Sequence, residues 1–358
     1  MIIVPIGIIL LTFTACENAA GGDSGSTGPV FESVAEVAAY LETAAGGYNP
    51  SNAIPIAVNI YLGTMTDENS GWRQLLDVLE SAGKLVALDL SNSGCNGNVF
   101  DPDSSIGTGK EFIVSLIFPI SVTSIAGGYE DDHFIYPTLG FFSNLSGCSG
   151  VNVTNIGEYA FFCCDALKSL SFPVAKNIGH YAFYWCDALK SVSFPAVQSI
   201  GDFVFWHCDA LQSVSFPVAK NIGENAFEDC TALQNVSFPA VQGIGERSFT
   251  GCVTLKSASF PVAQKIRERA FYHCDALQSV SIPAVTSIGD WAFGYTGSVA
   301  LTITMGNPAP YVENNLFGGY TTKPVTVRVP AAALASYDAA WRDTVIGGSD
   351  ITLTFKTY

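Results

Sequence analysis

From Ile156 onward the apolar side chains fall on a fixed frame. Isoleucine returns at Ile178, Ile200, Ile222, Ile244, Ile266 and Ile288, always 22 residues on. Phenylalanine does so from Phe161 to Phe293, leucine from Leu167 to Leu277 and proline from Pro173 to Pro283. The unit reads I-G-x-x-A-F-x-x-C-x-x-L-x-x-V-x-F-P, followed by four more residues. A unit this small cannot bury its own apolar face, so successive units must lie on one another as coils of a solenoid. Within it, Leu189-x-x-Val192-x-Phe194 predicts a β-strand with Val192 and Phe194 inward and Ser191 and Ser193 outward. Pro195 ends that strand, having no N–H to continue a ladder. Gly179-x-x-Ala182-Phe183 predicts a tight turn leading into a short helical turn on the opposite side.

Weaker copies flank the array. Leu85-x-x-Leu88-x-Leu90 and Ile113-x-x-Leu116-x-Phe118 fit the strand template before it, and Val325, Val327, Val329 and Ile351, Leu353, Phe355 alternate after it. Amphipathic helices are expected near residues 32–45 and 71–82, covering the open N-terminal end, and over 331–342 at the other end. Between Pro and Ile, Val-Ala and Ala-Val pairs alternate from Val174-Ala175 to Ala284-Val285. Each pair keeps one total volume, as a close-packed interior tolerates.

The spacing, with its I-G-x-x-A-F-x-x-C-x-x-L core, resembles the BspA-like leucine-rich repeat proteins. The fold class expected is therefore a leucine-rich repeat solenoid, with a parallel β-sheet on one face, short helical turns on the other and helical or β caps at both ends. The resemblance implies a protein of bacterial surfaces whose relatives bind host matrix proteins or other cells. It divides the chain into an N-terminal cap with degenerate repeats (30–110), the array (111–298) and C-terminal repeats with a cap (299–358).

The first residues add an address. Ile2 to Leu11 is an apolar run too short to span a bilayer, and Phe13-Thr14-Ala15-Cys16 with a Gly/Ser-rich stretch follows. This resembles a bacterial lipoprotein signal, implying a cleaved segment 1–15, acylation of Cys16 and a flexible linker over 16–29. An ordinary cleaved secretory signal is the alternative; both export the chain. A formal charge of −16 argues against nucleic acid or an anionic membrane surface as partner. Contact with a membrane would come through the lipid anchor alone.

Six cysteines, Cys164 to Cys274, recur with the frame. One thiol per coil cannot converge on a metal. Stacked side chains ~4.8 Å apart are also too far apart at Cβ for ready disulfides. The ladder therefore reads as small buried thiols used as packing. A Cys95–Cys148 disulfide is conceivable in an exported protein. No cofactor is implied. The four histidines have no triad spacing, and neither a P-loop nor a dinucleotide fingerprint occurs, so the chain does not read as an enzyme. Asp165, Asp187, Asp209 and Asp275 follow ladder cysteines and read as solvated turn carboxylates, with a calcium site as the alternative.

Function is then a matter of surfaces. The outward strand positions are serine ladders edged by Lys168 and Lys190, a polar and nearly uniform face. Around Ala-Phe, the first coils instead gather Tyr181, Tyr184, Trp185, Phe203 and Trp206, with Tyr159 and Phe162. Exposed, such a group is an interaction patch, with Trp185 and Trp206 its foremost candidates. Packed across one turn, Tyr159 on Phe162 and Tyr181 on Tyr184, it is structural. The reading that follows is a surface-anchored adhesion module for a host matrix or cell-surface protein. A self-associating surface coat and a glycan-binding solenoid are the alternatives.

Overall fold

The protein is described by a computed structural model over residues 28–102, 108–130, 134–297, 300–313, 315–318, 324–341 and 352–358. The leader, Cys16 and His133 lie outside the described residues. The chain winds as stacked coils, and in the array each coil has three sides. The first is the predicted strand, such as Ser191–Ser193, paired in parallel with Ser213–Ser215 at a register of one repeat. Val192 is buried beneath the exposed serines on either side. This side runs from Val30–Phe31 to Thr352–Thr357, hydrogen-bonded as three successive sheets that divide after Ser171 and after Ser215.

The second side is a ten-stranded parallel sheet of two-residue strands, unbroken from Val99–Phe100 to Tyr311–Val312. It pairs the frame isoleucines, Ile178 with Ile200 and Ile200 with Ile222. Strands so short leave no alternation to read, and the sequence pattern does not reveal this sheet.

The third side differs from expectation. The Gly-x-x-Ala-Phe segment forms consecutive turns, not a helical turn. Its backbone bonds run between coils: the amides of Tyr181, Phe183 and Trp185 donate to the carbonyls of Asp202, Val204 and Trp206 at 3.2, 2.9 and 3.0 Å. The same three bonds recur at Phe203, Phe205 and His207, and again at Asn225, Phe227 and Asp229. The first and third donors of each set are left-handed, Tyr181 at φ 56° and Trp185 at 57°. With a left-handed residue at each end of the segment, every second N–H bonds to the neighbouring coil along the solenoid axis, which an α-helical turn cannot do. For residues other than glycine this costs about 1–2 kcal/mol each, and the inter-coil bonds offset it.

Inside, the frame side chains stack on their own copies. Rings of Phe183, Phe205, Phe227, Phe249 and Phe271 lie 5.3–5.4 Å apart and within 8° of parallel, all with no exposed surface. The cysteine ladder is buried beside them as free thiols, and it does more than fill space. From Cys186 to Cys274 each thiol donates to the carbonyl of a phenylalanine one coil back, Cys186 to Phe161 at 3.1 Å and Cys230 to Phe205 at 3.2 Å, and Cys164 donates to that of Leu139. Burial holds these thiols well above the usual thiol pKa. Cys95 and Cys148 are also free: Cys95 lies near Ser121, whereas Cys148 is buried in the strand Gly147–Ser149.

Two packing expectations are corrected. In each Val-Ala or Ala-Val pair only the second residue is interior: Ala175, Val197, Ala219 and Val241 are buried while Val174 and Val218 are exposed. The turn after proline puts the first residue at a solvent corner, so the interior receives alternating volumes rather than a constant sum. Helices α1 (Val34–Thr43) and α2 (Gly71–Ala82) also do not both cover the open end. They alternate with the parallel strands 30–31, 54–58 and 86–89 and form the backs of the first two coils. α2 starts at Ser70, whose Oγ accepts the Arg73 amide, and stops at left-handed Gly83. Its Trp72, Leu75, Leu76 and Leu79 are buried, and Trp72 meets Phe100 edge-on at 5.6 Å. Only α1 faces the end. At the other terminus α3 (Leu334–Trp341) likewise connects the last two parallel strands.

Candidate interaction face

The turn side carries the residues that vary from coil to coil, and the inter-coil ladder fixes where they stand. Residues one repeat apart share a backbone conformation, so their side chains form columns. In the first coils these columns are aromatic. Tyr159 stacks on Tyr181 at 4.9 Å and 10°, and Tyr181 on Phe203 at 4.6 Å and 6°. In the next column Tyr184 lies on Trp206 at 4.6 Å and 6°. Trp185, 42% exposed, lies against Tyr184 at 4.6 Å and against His207 at 6.0 Å.

The five aromatic candidates are thus brought together, and both sequence readings of them apply in part. Tyr181 does touch Tyr184 within its coil, at 6.0 Å, but the closer contacts run along the axis. Tyr159 and Phe162 are buried; Tyr181, Tyr184, Phe203 and Trp206 are half-buried and turn edges outward. The indole N–H of Trp206 is buried without an acceptor. Lys168 and Lys190 stand apart from the rings, exposed in their own column where the chain enters the strand.

Carboxylates border the rings on both sides. Before the first aromatic column stand Glu158, His180, Asp202 and Glu224, a column that continues as Glu246, Glu268 and Asp290. Part of its work is local. His180 Nδ1 accepts the Asp202 amide at 3.1 Å, and Asp202 Oδ1 accepts that of Glu224 at 2.8 Å. Beyond the last column stand Asp165, Asp187 and Asp209, all exposed. The carboxyls of Asp165 and Asp187 are raised above the ordinary value by partial burial, then by the next aspartate in the column, with His207 opposing it at Asp187. Glu228, under Trp206, is pushed up to about 7 by burial and then by Asp229.

Further along, basic residues enter the same columns. Arg247 meets Glu246 at 3.7 Å and Arg269 meets Glu268 at 3.0 Å. In the first coils the described basic groups within 4 Å of a carboxylate are histidines, His180 Nδ1 at 3.3 Å from Asp202 and His207 Nε2 at 3.7 Å from Asp229, contacts that carry opposite charges only when the imidazole is protonated. A second aromatic group, Tyr272, His273, Trp291 and Tyr295, follows the charged coils; His273 stacks on Tyr295 at 5.0 Å and Trp291 on Tyr295 at 5.9 Å. The sequence reading did not separate out this group or the carboxylate column after Ile-Gly. Both were signalled by position within the repeat. Among the described residues no group of three or more His, Cys, Asp or Glu side chains is placed to hold a metal ion, and no helix is long and apolar enough to cross a membrane.

The family model of the BspA type leucine rich repeat region matches residues 154–274 and 198–323, in six copies. No curated protein matches the chain. Among solved structures, the chain is similar to a leucine-rich cell surface protein of Faecalibacterium prausnitzii, at 19% identity and a TM-score of 0.38 over 68% of this chain and 79% of that one. A leucine-rich repeat protein of Bacteroides ovatus matches at 19% identity and a TM-score of 0.41, over 76% and 78%. The leucine-rich repeat protein of T. pallidum matches at 21% and 0.36, over 51% and 78%.

Proposed function

The chain belongs to the BspA-type leucine-rich repeat proteins, with its repeat region over residues 154–323, and on that premise we propose that it is a surface-anchored module binding host matrix or cell-surface proteins. Its turn face would make the contact, through Trp185, Trp206, Tyr184, Tyr181 and Phe203. One observation carries this reading. Asn225, Arg247 and Arg269 occupy the position of Tyr181 and Phe203 with the same left-handed backbone, φ 49–52° against 56–59°. The fold accepts polar residues there, so the aromatic ones answer to something else. The unpartnered indole N–H of Trp206 points the same way, since a buried donor without an acceptor costs about 1–3 kcal/mol.

The stacking also favours protein over glycan. A sugar needs an open ring face, and Tyr181 and Tyr184 have theirs occupied by neighbouring rings. Edges with hydroxyl and indole groups suit a protein surface. Export and anchoring through Cys16 would put this face outside the cell. The test is attachment of the purified protein to immobilised host extracellular proteins, with Trp185→Ala and Trp206→Ala combined. At least a fivefold loss is expected, with Trp185→Ala alone carrying a measurable part. Unchanged attachment by a folded double variant rejects this face, and saturable self-association without outside binding would favour a coat.

A further inference from the structure

The two carboxylate columns say what kind of segment this face takes. We propose that coils 158–209 dock an extended, arginine- or lysine-rich segment of the partner protein, laid along the solenoid axis over the aromatic edges. The inference rests on the turn face being the binding face and adds the chemistry of its partner. The aromatic strip lies between Glu158, Asp202 and Glu224 on one side and Asp165, Asp187 and Asp209 on the other. Among the described residues no arginine or lysine forms an ion pair with any of them, whereas further on Arg247 and Arg269 neutralise the glutamates of the first column from within, and Thr231 and Val253 replace the aspartates of the second. Asp165 and Asp187 repel the next carboxylate along, an unfavourable arrangement that an incoming cation relieves.

Geometry fits an extended chain. Three successive coils span about 10 Å, and side chains on one side of an extended strand recur every ~6.7 Å, so two cations at alternate positions fall within a column of three carboxylates. Arginine and lysine also carry apolar stems able to lie over the ring edges while their charged heads reach carboxylates at the border, arginine with a fork that matches a carboxylate. A second copy of this chain is a poor occupant, since it carries 32 acidic residues against 16 basic ones.

The experiment titrates the full chain with three labelled decapeptides that have arginine, serine or glutamate at alternate positions, read by fluorescence anisotropy. The arginine peptide is expected to bind at least tenfold more tightly than the serine peptide, and at least fivefold more weakly in 300 mM than in 50 mM salt. Asp187→Asn with Asp209→Asn should weaken it at least fivefold at unchanged melting temperature, both side chains being exposed. Glu246→Gln with Glu268→Gln, where arginine already neutralises the column, should change it less than twofold. Equal affinity for all three peptides overturns the proposal, as does an equal loss in both double variants, which would mark mere overall charge. If the Asp187/Asp209 variant still attaches fully to host proteins while the tryptophan variant does not, the cationic partner is wrong and the aromatic face stands.

Discussion

Coils 159–207 and coils 225–273 are built alike and dressed differently. Both stack the interior phenylalanines at nearly one spacing, 4.9–5.3 Å in the first and 5.3–5.4 Å in the second. Both place left-handed residues at the same two positions and make the same three inter-coil turn bonds. Outside, the first set presents stacked rings between carboxylates without arginine or lysine partners, and the second presents Asn, Arg and Glu that pair with one another. The molecule therefore contains its own control. Whatever the scaffold requires is met in both halves, and what differs between them is free to serve recognition.

The largest expected effect tests the shared scaffold. Phe183→Ala and Phe249→Ala each remove a fully buried ring from the same ladder. Each should cost ~3–5 kcal/mol in urea denaturation, and Phe227→Ala between them a similar amount. The two end values should agree within about 1 kcal/mol. A gap above about 2 kcal/mol would mean that the interiors differ, and the dressing could then no longer be read apart from the frame.

How much of this was legible follows from what each position must satisfy. The interior phenylalanines, leucines and isoleucines repeat because each packs on its own copy, so period 22 exposes them directly. The strands Val86–Asp89 and Ile113–Ile117 were also readable, because alternation survives in degenerate repeats. The turn side was not. Glycine is the ordinary sign of a left-handed residue, and at these turn positions only Gly251 supplies it, while aromatic residues, histidine, arginine, Cys163, Asn225 and Asp229 occupy the others. Without that sign, Ala-Phe next to apolar residues looked helical. The exposed half of each Val-Ala pair was missed for a related reason: composition shows that two volumes alternate, but only the turn geometry shows which one faces in. The aromatic candidates were found as a group, whereas their stacking along the axis depends on the inter-coil ladder.

A smaller effect concerns the junction between the two halves. Glu228 sits under Trp206 where rings give way to charges, and its carboxyl rises from 4.5 to about 7, chiefly through burial. The folded state therefore holds this proton more tightly than the unfolded chain does. Stability is highest with the proton bound, falls as pH rises from about 4.5 to about 7, and is level above that. Because Glu228 is half-buried, water screens much of the cost, leaving about 1 kcal/mol. Glu228→Gln should be more stable than the parent by roughly that amount at pH 8 and indistinguishable from it at pH 4. Equal melting temperatures at pH 8 would place the carboxylate in a fully solvated setting.

The smallest effects come from the side of the coil where the two halves differ least, with Asn235 standing in one ladder of serines and the ladder of Ser193 and Ser237 unbroken. Ser193 and Ser237 occupy one ladder on the outer strand face, both exposed. Alanine at either should change stability by less than about 0.5 kcal/mol. Neither change should alter attachment to host proteins, because a face common to every coil gives a partner no reason to prefer the first three. Ser193→Arg makes the comparison sharper by placing a large cation on that face without touching the turn. If the partner lies over the aromatic edges, attachment survives the arginine and is lost with Trp185→Ala. If the arginine abolishes attachment and the tryptophan change does not, recognition belongs to the serine face, and the aromatic coils differ from the charged ones for a reason unconnected with binding.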